Sequence, residues 1–247
     1  MKSTLSKSQD AYGQAFYDYY RGAGSAVIIE RDDGYIDLDT SLSNYFRRAR
    51  QWKPDQRKAI GFCKGRLLDI GCGAGQHSLY LQEKGFDILG IDVSPLAIKT
   101  CKLRGLKHAR VLSIDGINRR LGRFDTILMF GNNFGLFGNV RKAKQLLKRF
   151  HSMTSPDARI IAQCLDPINT KNPHHLKYHR RNRARGQLPG QLRIRIRYQD
   201  KASPWFDFLF VSPDEMNTVL ENTGWLIQQM ITSDGPSYFT VIVKDAP

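Results

Sequence analysis

A chain of 247 residues, 41% of them hydrophobic, is long enough to bury its own core and matches one α/β domain with decorations. Its 38 Lys and Arg exceed its 23 Asp and Glu by +15, a surplus that fits a polyanionic partner, an acidic small substrate or solubility alone. No apolar run approaches the roughly 20 residues that cross a bilayer, the start MKSTLSKSQD lacks the apolar core of a secretory signal, and Cys63, Cys72, Cys101 and Cys164 form no C-x-x-C pattern, so membrane spanning, secretion and a cysteine metal site are not expected.

Reduced thiols and a cytoplasmic location are the expectation that follows. In chain order, residues 1–63 read as a helical, capping segment of a single domain. Tyr12, Ala15, Phe16, Tyr19 and Tyr20 recur at helical spacing and predict an amphipathic helix, whose aromatic stripe fits core packing as well as ligand enclosure. Asp32, Asp33 and Gly34 predict a turn between two short extended pieces. SNYFRRARQW predicts a helix capped by Ser43 or Asn44 that runs to Pro54, and a second short helix follows from Asp55 to Cys63.

Residues 64–166 carry the most specific pattern. Leu67, Leu68 and Ile70 predict a buried strand, after which Gly71, Gly73 and Gly75 permit a tight turn and a close ligand approach before a helix resumes near Gln76. FDILGID predicts a second strand ending in Asp92, where a carboxylate accepts both hydroxyls of a ribose. An adenosine-containing ligand held against the first two strands is the direct implication. The G-x-G-x-G spacing departs from a pyrophosphate-binding turn, whose third glycine would stand at position 76, where this chain has Gln76.

Further along, HSLYLQEKG predicts a helix ending near Gly85, and SPLAIKTCKLRG a helix capped by Ser94 with Pro95 in its first turn. ARVLSI and FDTILMFGNN predict the third and fourth strands. NVRKAKQLLKRFHSM predicts a long basic helix with Val140, Ala143, Leu146, Leu147 and Phe150 on one face, and ARIIAQCLD the fifth strand. This alternation implies a doubly wound, mostly parallel sheet with right-handed crossovers.

The acidic residue followed by G-x-G-x-G, matched by Asp69, Gly71, Gly73 and Gly75, resembles motif I of the class I S-adenosylmethionine-dependent methyltransferases. Asp92 matches that family's acidic residue after the second strand, and Asp115, with Gly116 and Ile117 beside it, the residue after the third strand that meets the adenine amino group. The resemblance implies S-adenosyl-L-methionine as cofactor and a seven-stranded, mostly parallel Rossmann-like sheet with an antiparallel end. It implies cofactor contacts from Asp69, Gly71, Cys72, Gly73, Gly75, His77, Asp92, Val93, Asp115, Gly116, Ile117 and Met129. His77 fits packing or capping of its helix equally well. In the family, the segment before motif I and the loop after the fourth strand shape the acceptor pocket, which makes Tyr12, Tyr19, Asn132 and Asn133 candidates for positioning the methyl acceptor. Asn132 and Asn133 lack the proline pair of the nucleobase and glutamine amino methyltransferases, and Asn beside Gly is also ordinary turn chemistry.

Residues 167–210 read as a basic insertion, a β-rich cap over the acceptor site. Lys171 to Arg197 contains no acidic residue. Pro173, Gly186, Pro189 and Gly190 predict a mobile polar loop carrying Arg180, Arg181, Arg183 and Arg185, and LRIRIRY predicts a strand with Arg193, Arg195 and Arg197 on one face. That row fits phosphate contacts or a solvated sheet face. His174, His175 and His179 complete no metal site; they suit loop positions, phosphate contacts or general-base work on a hydroxyl acceptor. PWFDFLF predicts another strand. Residues 211–247 then predict a helix capped by Ser212, Pro213 and Glu215, followed by two strands, similar to the last helix and strand pair of the methyltransferase sheet.

The expected function is methyl transfer to a small or medium-sized metabolite. RNA methylation through the basic segment is the alternative, and a noncatalytic cofactor-binding or interaction protein the third reading. No metal is expected.

Overall fold

The computed structural model describes residues 5–24, 26–232 and 235–245. The chain divides into two compact units: one comprises Met1–Lys53, Lys64–Ile117 and Ile194–Trp205, the other Pro54–Cys63, Asn118–Arg193 and Phe206–Pro247. Its strands form a seven-stranded and a five-stranded sheet.

In the first unit, helix α1 (Ala11–Tyr20) precedes a hairpin of β1 (Val27–Arg31) and β2 (Ile36–Asp39). The turn at Asp32–Gly34 follows the expectation; Gly34 has φ +85°, and Arg31 forks onto Asp33 at 2.8 and 2.9 Å. β3 (Leu67–Ile70), β4 (Ile88–Asp92) and β5 (Ala109–Val111) pair in parallel, with α3 (Gln76–Glu83) and α4 (Pro95–Leu103) as crossovers. β3 is buried at every position because it is covered on both faces. Ser94 caps α4 as predicted, accepting from the Ala97 N–H at 2.9 Å. α1 packs on α4 with Gly13 at the closest approach, where a Cβ would overlap Ser94 Oγ and Asp10 Oδ1.

In the second unit, α2 (Pro54–Ile60) is followed by β6 (Phe124–Met129), helix α5 (Val140–Met153) and β7 (Thr154–Leu165), β6 and β7 running parallel. α5 buries Ala143, Leu146, Leu147, Phe150 and Met153, which recur at helical spacing on one side. Helix α7 (Pro213–Leu220) begins with the predicted capping box, Ser212 Oγ accepting from Glu215 N–H at 3.2 Å and Glu215 from Ser212 N–H at 2.9 Å. Such a cap stabilises by about 1 kcal/mol. β11 (Trp225–Thr232) and β12 (Ser237–Lys244) are antiparallel, and β12 lies antiparallel to β7. Residues 233–234 of the turn predicted between them lie outside the described residues. The large sheet has the order β11-β12-β7-β6-β3-β4-β5, the doubly wound arrangement with an antiparallel end.

The remaining strands are β8 (Gln191–Tyr198), β9 (Lys201–Ala202) and β10 (Phe206–Leu209), which join the hairpin in the order β10-β8-β1-β2, β9 pairing with β8. The β-rich insertion is therefore completed by the N-terminal segment: Ile28 to Arg31 of β1 face Arg197 to Ile194 of β8 in antiparallel register.

Three local expectations change. Residues 42–51 form two 3-10 turns, Leu42–Phe46 and Ala49–Gln51, separated by extended Arg47 and Arg48, instead of one helix. Ser43 and Asn44 do not cap a helix there; burial of Leu42 and Trp52 sets the path. Pro173 does not open a loop: it occupies the first turn of helix α6 (Pro173–Ala184), capped by Asn172. Tyr178, His179 and Asn182 form the buried face of α6, and Asn182 Nδ2 donates to the carbonyls of Pro189 and Gln191 at 3.0 and 2.8 Å. The row on β8 is not a free arginine face. Arg195 forks onto Glu30 at 2.9 Å for both bonds, Arg197 reaches the same carboxylate at 3.3 Å, and Arg193 pairs with Asp207 at 3.2 Å.

Candidate functional site

β3 and β4 run parallel, so their carboxyl ends bring Asp69, the glycine turn and Asp92 together. Gly71, Gly73 and Gly75 have φ of 71°, 54° and 81°, left-handed values that side chains other than glycine adopt only with strain. The turn is fixed by its backbone: Gly71 and Cys72 both donate to Ile91 O, at 2.8 and 3.0 Å, and Gly75 donates to Cys72 O at 2.8 Å. Helix α4 holds it from below. The Cys101 thiol donates to Gly73 O at 3.1 Å, Arg104 donates to Ala74 O at 2.5 Å, and a Cβ on Gly75 would stand 2.9 Å from Cys101 Sγ.

Asp92 is half-buried at the end of β4. Its Oδ2 accepts from Gly73 N–H at 3.0 Å and its Oδ1 from Ser94 N–H at 2.9 Å. Each oxygen keeps a lone pair for a further donor. Burial, with the Asp10 charge adding to it, pushes this carboxyl up to about 6, against backbone bonds from Ser94, Gly73 and Val93 that favour its charge. Asp69 lies deeper, 2% exposed, and accepts from the Ser78 hydroxyl at 2.6 Å. Burial, with the Asp92 charge adding to it against the Ser78 bond, pushes Asp69 up to about 7.

The other positions singled out in this unit divide by exposure. Val93 is 37% exposed beside Asp92, whereas Cys72 is buried with its sulfur 3.9 Å from that of Cys101. Asp115 is exposed in a 3-10 turn after β5, followed by half-buried Gly116 and fully buried Ile117. His77 is half-buried in the first turn of α3 and packs against Trp52 at 5.1 Å between ring centroids; burial lowers it to about 3, which keeps it neutral.

The N-terminal segment covers the turn. Phe16 approaches the place of a Gly73 Cβ to 3.4 Å, and its ring centroid lies 4.8 Å from Tyr12 and 4.9 Å from Tyr45. Tyr19 packs on Phe46 at 4.7 Å, and the Arg104 guanidinium stands over the same ring. Tyr12 donates to Asp39 Oδ2 at 2.7 Å. Sequence reasoning missed Asp39 and Tyr45: neither lies in a motif, and only the hairpin carries Asp39 to α1. It also missed Asp10, 1% exposed, whose Oδ2 accepts from Leu96 N–H at 2.9 Å while Oδ1 has no donor.

In the second unit, β6 ends at Met129, which is fully buried in the sheet. Gly131 N–H donates to Gln163 Oε1 at 2.8 Å. Asn132 has a left-handed φ of 62° before the 3-10 turn Asn133–Phe137, and its Oδ1 is buried without a donor. Asn tolerates that backbone better than most side chains, and the unfilled acceptor keeps Asn132 a candidate position. On α6, Arg181 lies over the Tyr178 ring at 4.2 Å, while Lys177, Arg180 and Arg183 are exposed along one side and Arg185 follows the helix. All four cysteines are free thiols. Among the described residues no group of three or more His, Cys, Asp or Glu is placed to hold a metal, and no helix is long and apolar enough to cross a membrane.

A family model described as Methyltransferase domain matches residues 39–229. A glycine/sarcosine N-methyltransferase of Halorhodospira halochloris is 30% identical over 138 residues, covering 52% of this chain and 51% of its own length. A 23S rRNA (uracil(747)-C(5))-methyltransferase of Pyrococcus abyssi is 27% identical over 143 residues, 57% of this chain and 33% of its own. The chain thus spans about half the length, or less, of these curated relatives. The solved structure of a SAM-dependent methyltransferase from Bacteroides fragilis in complex with S-adenosyl-L-homocysteine aligns at TM-score 0.83 and 25% identity over 98% of each chain. With most of its length matched by the family model and nearly all of it by that structure, this protein belongs to the methyltransferase-domain family and has the class I S-adenosylmethionine-dependent methyltransferase fold.

Proposed function

We propose that this chain transfers a methyl group from S-adenosyl-L-methionine to a small or medium-sized metabolite. The observation that carries the reading is the Asp92 carboxylate, braced by Gly73 and Ser94 N–H groups beside three left-handed glycines, with a lone pair left on each oxygen. That arrangement fits an adenosine ligand: the glycines admit it and Asp92 accepts from its ribose hydroxyls. Asp115 receives the adenine amino group. When bound, S-adenosylmethionine supplies an electrophilic methyl on a cationic sulfur; the protein's task is to orient the acceptor in line with it and exclude water. The aromatic wall of Tyr12, Phe16, Tyr19 and Tyr45 excludes water beside the turn. In the second unit, Asn132 Oδ1, lacking a donor of its own, is free to accept from an N–H or O–H.

A second reading, methylation of RNA, has one specific observation in its favour. Lys177, Arg180 and Arg183 share the exposed side of a pinned helix, and no acid is paired with them among the described residues. The similarity to an rRNA methyltransferase agrees with it. Methyl transfer from labelled S-adenosylmethionine into cell extract, divided into RNA, protein and small-molecule fractions, decides between them with Asp92→Ala as control. Label in the small-molecule fraction supports the metabolite reading and label in RNA the second. Binding of S-adenosylhomocysteine without label in any fraction favours a noncatalytic role.

A further inference from the structure

Asp39 is the centre of a polar group set against the aromatic wall. Its Oδ1 accepts from the backbone N–H and hydroxyl of Ser41 at 2.9 and 2.6 Å, and its Oδ2 from the hydroxyls of Tyr12 and Tyr45 at 2.7 and 3.0 Å. The two tyrosine hydroxyls also bond each other. Two phenolic protons thus serve three oxygen contacts, and lone pairs remain on both phenolic oxygens. Burial opposes the charge of Asp39, but the bonds from Ser41 and Tyr12 outweigh it and hold the carboxyl below its usual range. Burial, with the Tyr45 and Asp39 charges behind it, keeps Tyr12 well above the ordinary phenol value. At neutral pH the group therefore carries one negative charge. No Lys, Arg or His is paired with Asp39 among the described residues, in a chain whose net charge is +15.

This uncompensated charge is bonded to the hydroxyls of two aromatic rings. The Tyr12 and Tyr45 centroids are 5.7 Å apart, and both rings contact Phe16, which touches the glycine turn. Unfilled hydroxyl lone pairs, aromatic faces and a carboxylate without a counterion are the features that receive an organic cation from water.

We propose that Asp39, Tyr12 and Tyr45 form a recognition site for an onium cation at the edge of the glycine turn. The rings and hydroxyl oxygens make the contact, and Asp39 acts through the hydroxyls as a positioning residue. The inference rests on the methyltransferase reading, which offers two sources of such a charge: the sulfonium of S-adenosylmethionine and an ammonium on the methyl acceptor.

The test is calorimetric titration of the full chain with S-adenosylmethionine, with S-adenosylhomocysteine, whose sulfur is neutral, and with tetramethylammonium added to the S-adenosylhomocysteine complex. Asp39→Asn removes the charge at constant size, and Tyr12→Phe and Tyr45→Phe remove the hydroxyls while keeping the rings. If the sulfonium is the ligand, Asp39→Asn lowers affinity for S-adenosylmethionine by about 5- to 30-fold and leaves that for S-adenosylhomocysteine within twofold. If the ammonium is, affinity for both cofactor forms stays within twofold of wild type and tetramethylammonium binding falls by about 5- to 30-fold. A group that merely braces the fold would weaken both cofactor forms equally. That result, or a wild-type ratio together with wild-type response to tetramethylammonium in all three folded variants, overturns the proposal. Failure of the wild type to bind S-adenosylhomocysteine at all would instead remove the methyltransferase reading, and this inference with it.

Discussion

Asp69→Asn gives the sharpest physical test of the cofactor turn. The Asp69 carboxyl is 2% exposed, has the Ser78 hydroxyl as its hydrogen-bond donor at 2.6 Å, and is raised by burial from 3.8 to about 7. A raised carboxyl means that the unfolded chain ionises first as pH rises. The folded state then loses stability from the unfolded value upward until the folded value is passed, and gains it back on acidification. At about 1.36 kcal/mol per unit, the cost is about 2 kcal/mol at pH 5 and about 4 kcal/mol at pH 8. The difference of 2–3 kcal/mol corresponds to roughly 5–10 °C in Tm for a chain of this size. His77, lowered to about 3 by burial, works in the opposite sense, losing stability as pH falls below 6.5, and both chains share it. The amide variant keeps an acceptor for Ser78 and removes the ionisation, so its stability relative to wild type should improve by 2–3 kcal/mol between pH 5 and 8, about two units of Asp69 titration. Urea unfolding of the unliganded protein across that range measures the comparison. Parallel pH profiles for the two proteins would show that Asp69 titrates normally and that the burial reasoning is wrong.

Asp92→Ala removes two charge-assisted acceptor positions at about 1.5–3 kcal/mol each, so S-adenosylhomocysteine should bind at least about 100-fold more weakly by calorimetry; a change under threefold would refute the ribose assignment. The same variant frees the Gly73 and Ser94 N–H groups, so its Tm should fall by a few degrees as well. Gly13→Ala gains about 1 kcal/mol of helix propensity, yet its methyl overlaps Ser94 Oγ and Asp10 Oδ1, so the urea midpoint should fall by the equivalent of about 1–3 kcal/mol net. A raised midpoint would mean that α1 moves freely on α4. If α6 contacts RNA, replacing Lys177, Arg180 and Arg183 together by Gln should lower the slope of log affinity against log salt by about 2, and an unchanged slope assigns RNA binding to another surface.

Much of the core was legible because its signals are local. Buried strands such as Leu67–Ile70, caps such as Ser94 with Pro95 and Ser212 with Glu215, and left-handed glycines declare themselves within a few residues, since each answers a backbone requirement that its neighbours impose. The motif order from Asp69 through Asp92 to Asp115 likewise carried the family resemblance without any coordinates. Lys171–Arg185 was misread for the same reason in reverse: Pro173 and the basic run suggest a loop, whereas the helix depends on burying Tyr178, His179 and Asn182. Propensity is weak there and tertiary contact decides.

The sequence alone determined the cofactor turn, the strand and helix alternation and the excess of positive charge, because those depend on residue type and short-range spacing. Tertiary structure alone decided that Glu30 pairs with Arg195 and Arg197 from 165 and 167 positions away, that Met129 is buried within the sheet, and that Asp39 meets Tyr12 and Tyr45 beside the aromatic wall. Such pairings have no sequence period: they arise when antiparallel β1 and β8 and the hairpin end bring distant side chains into register, and burial then sets their charge.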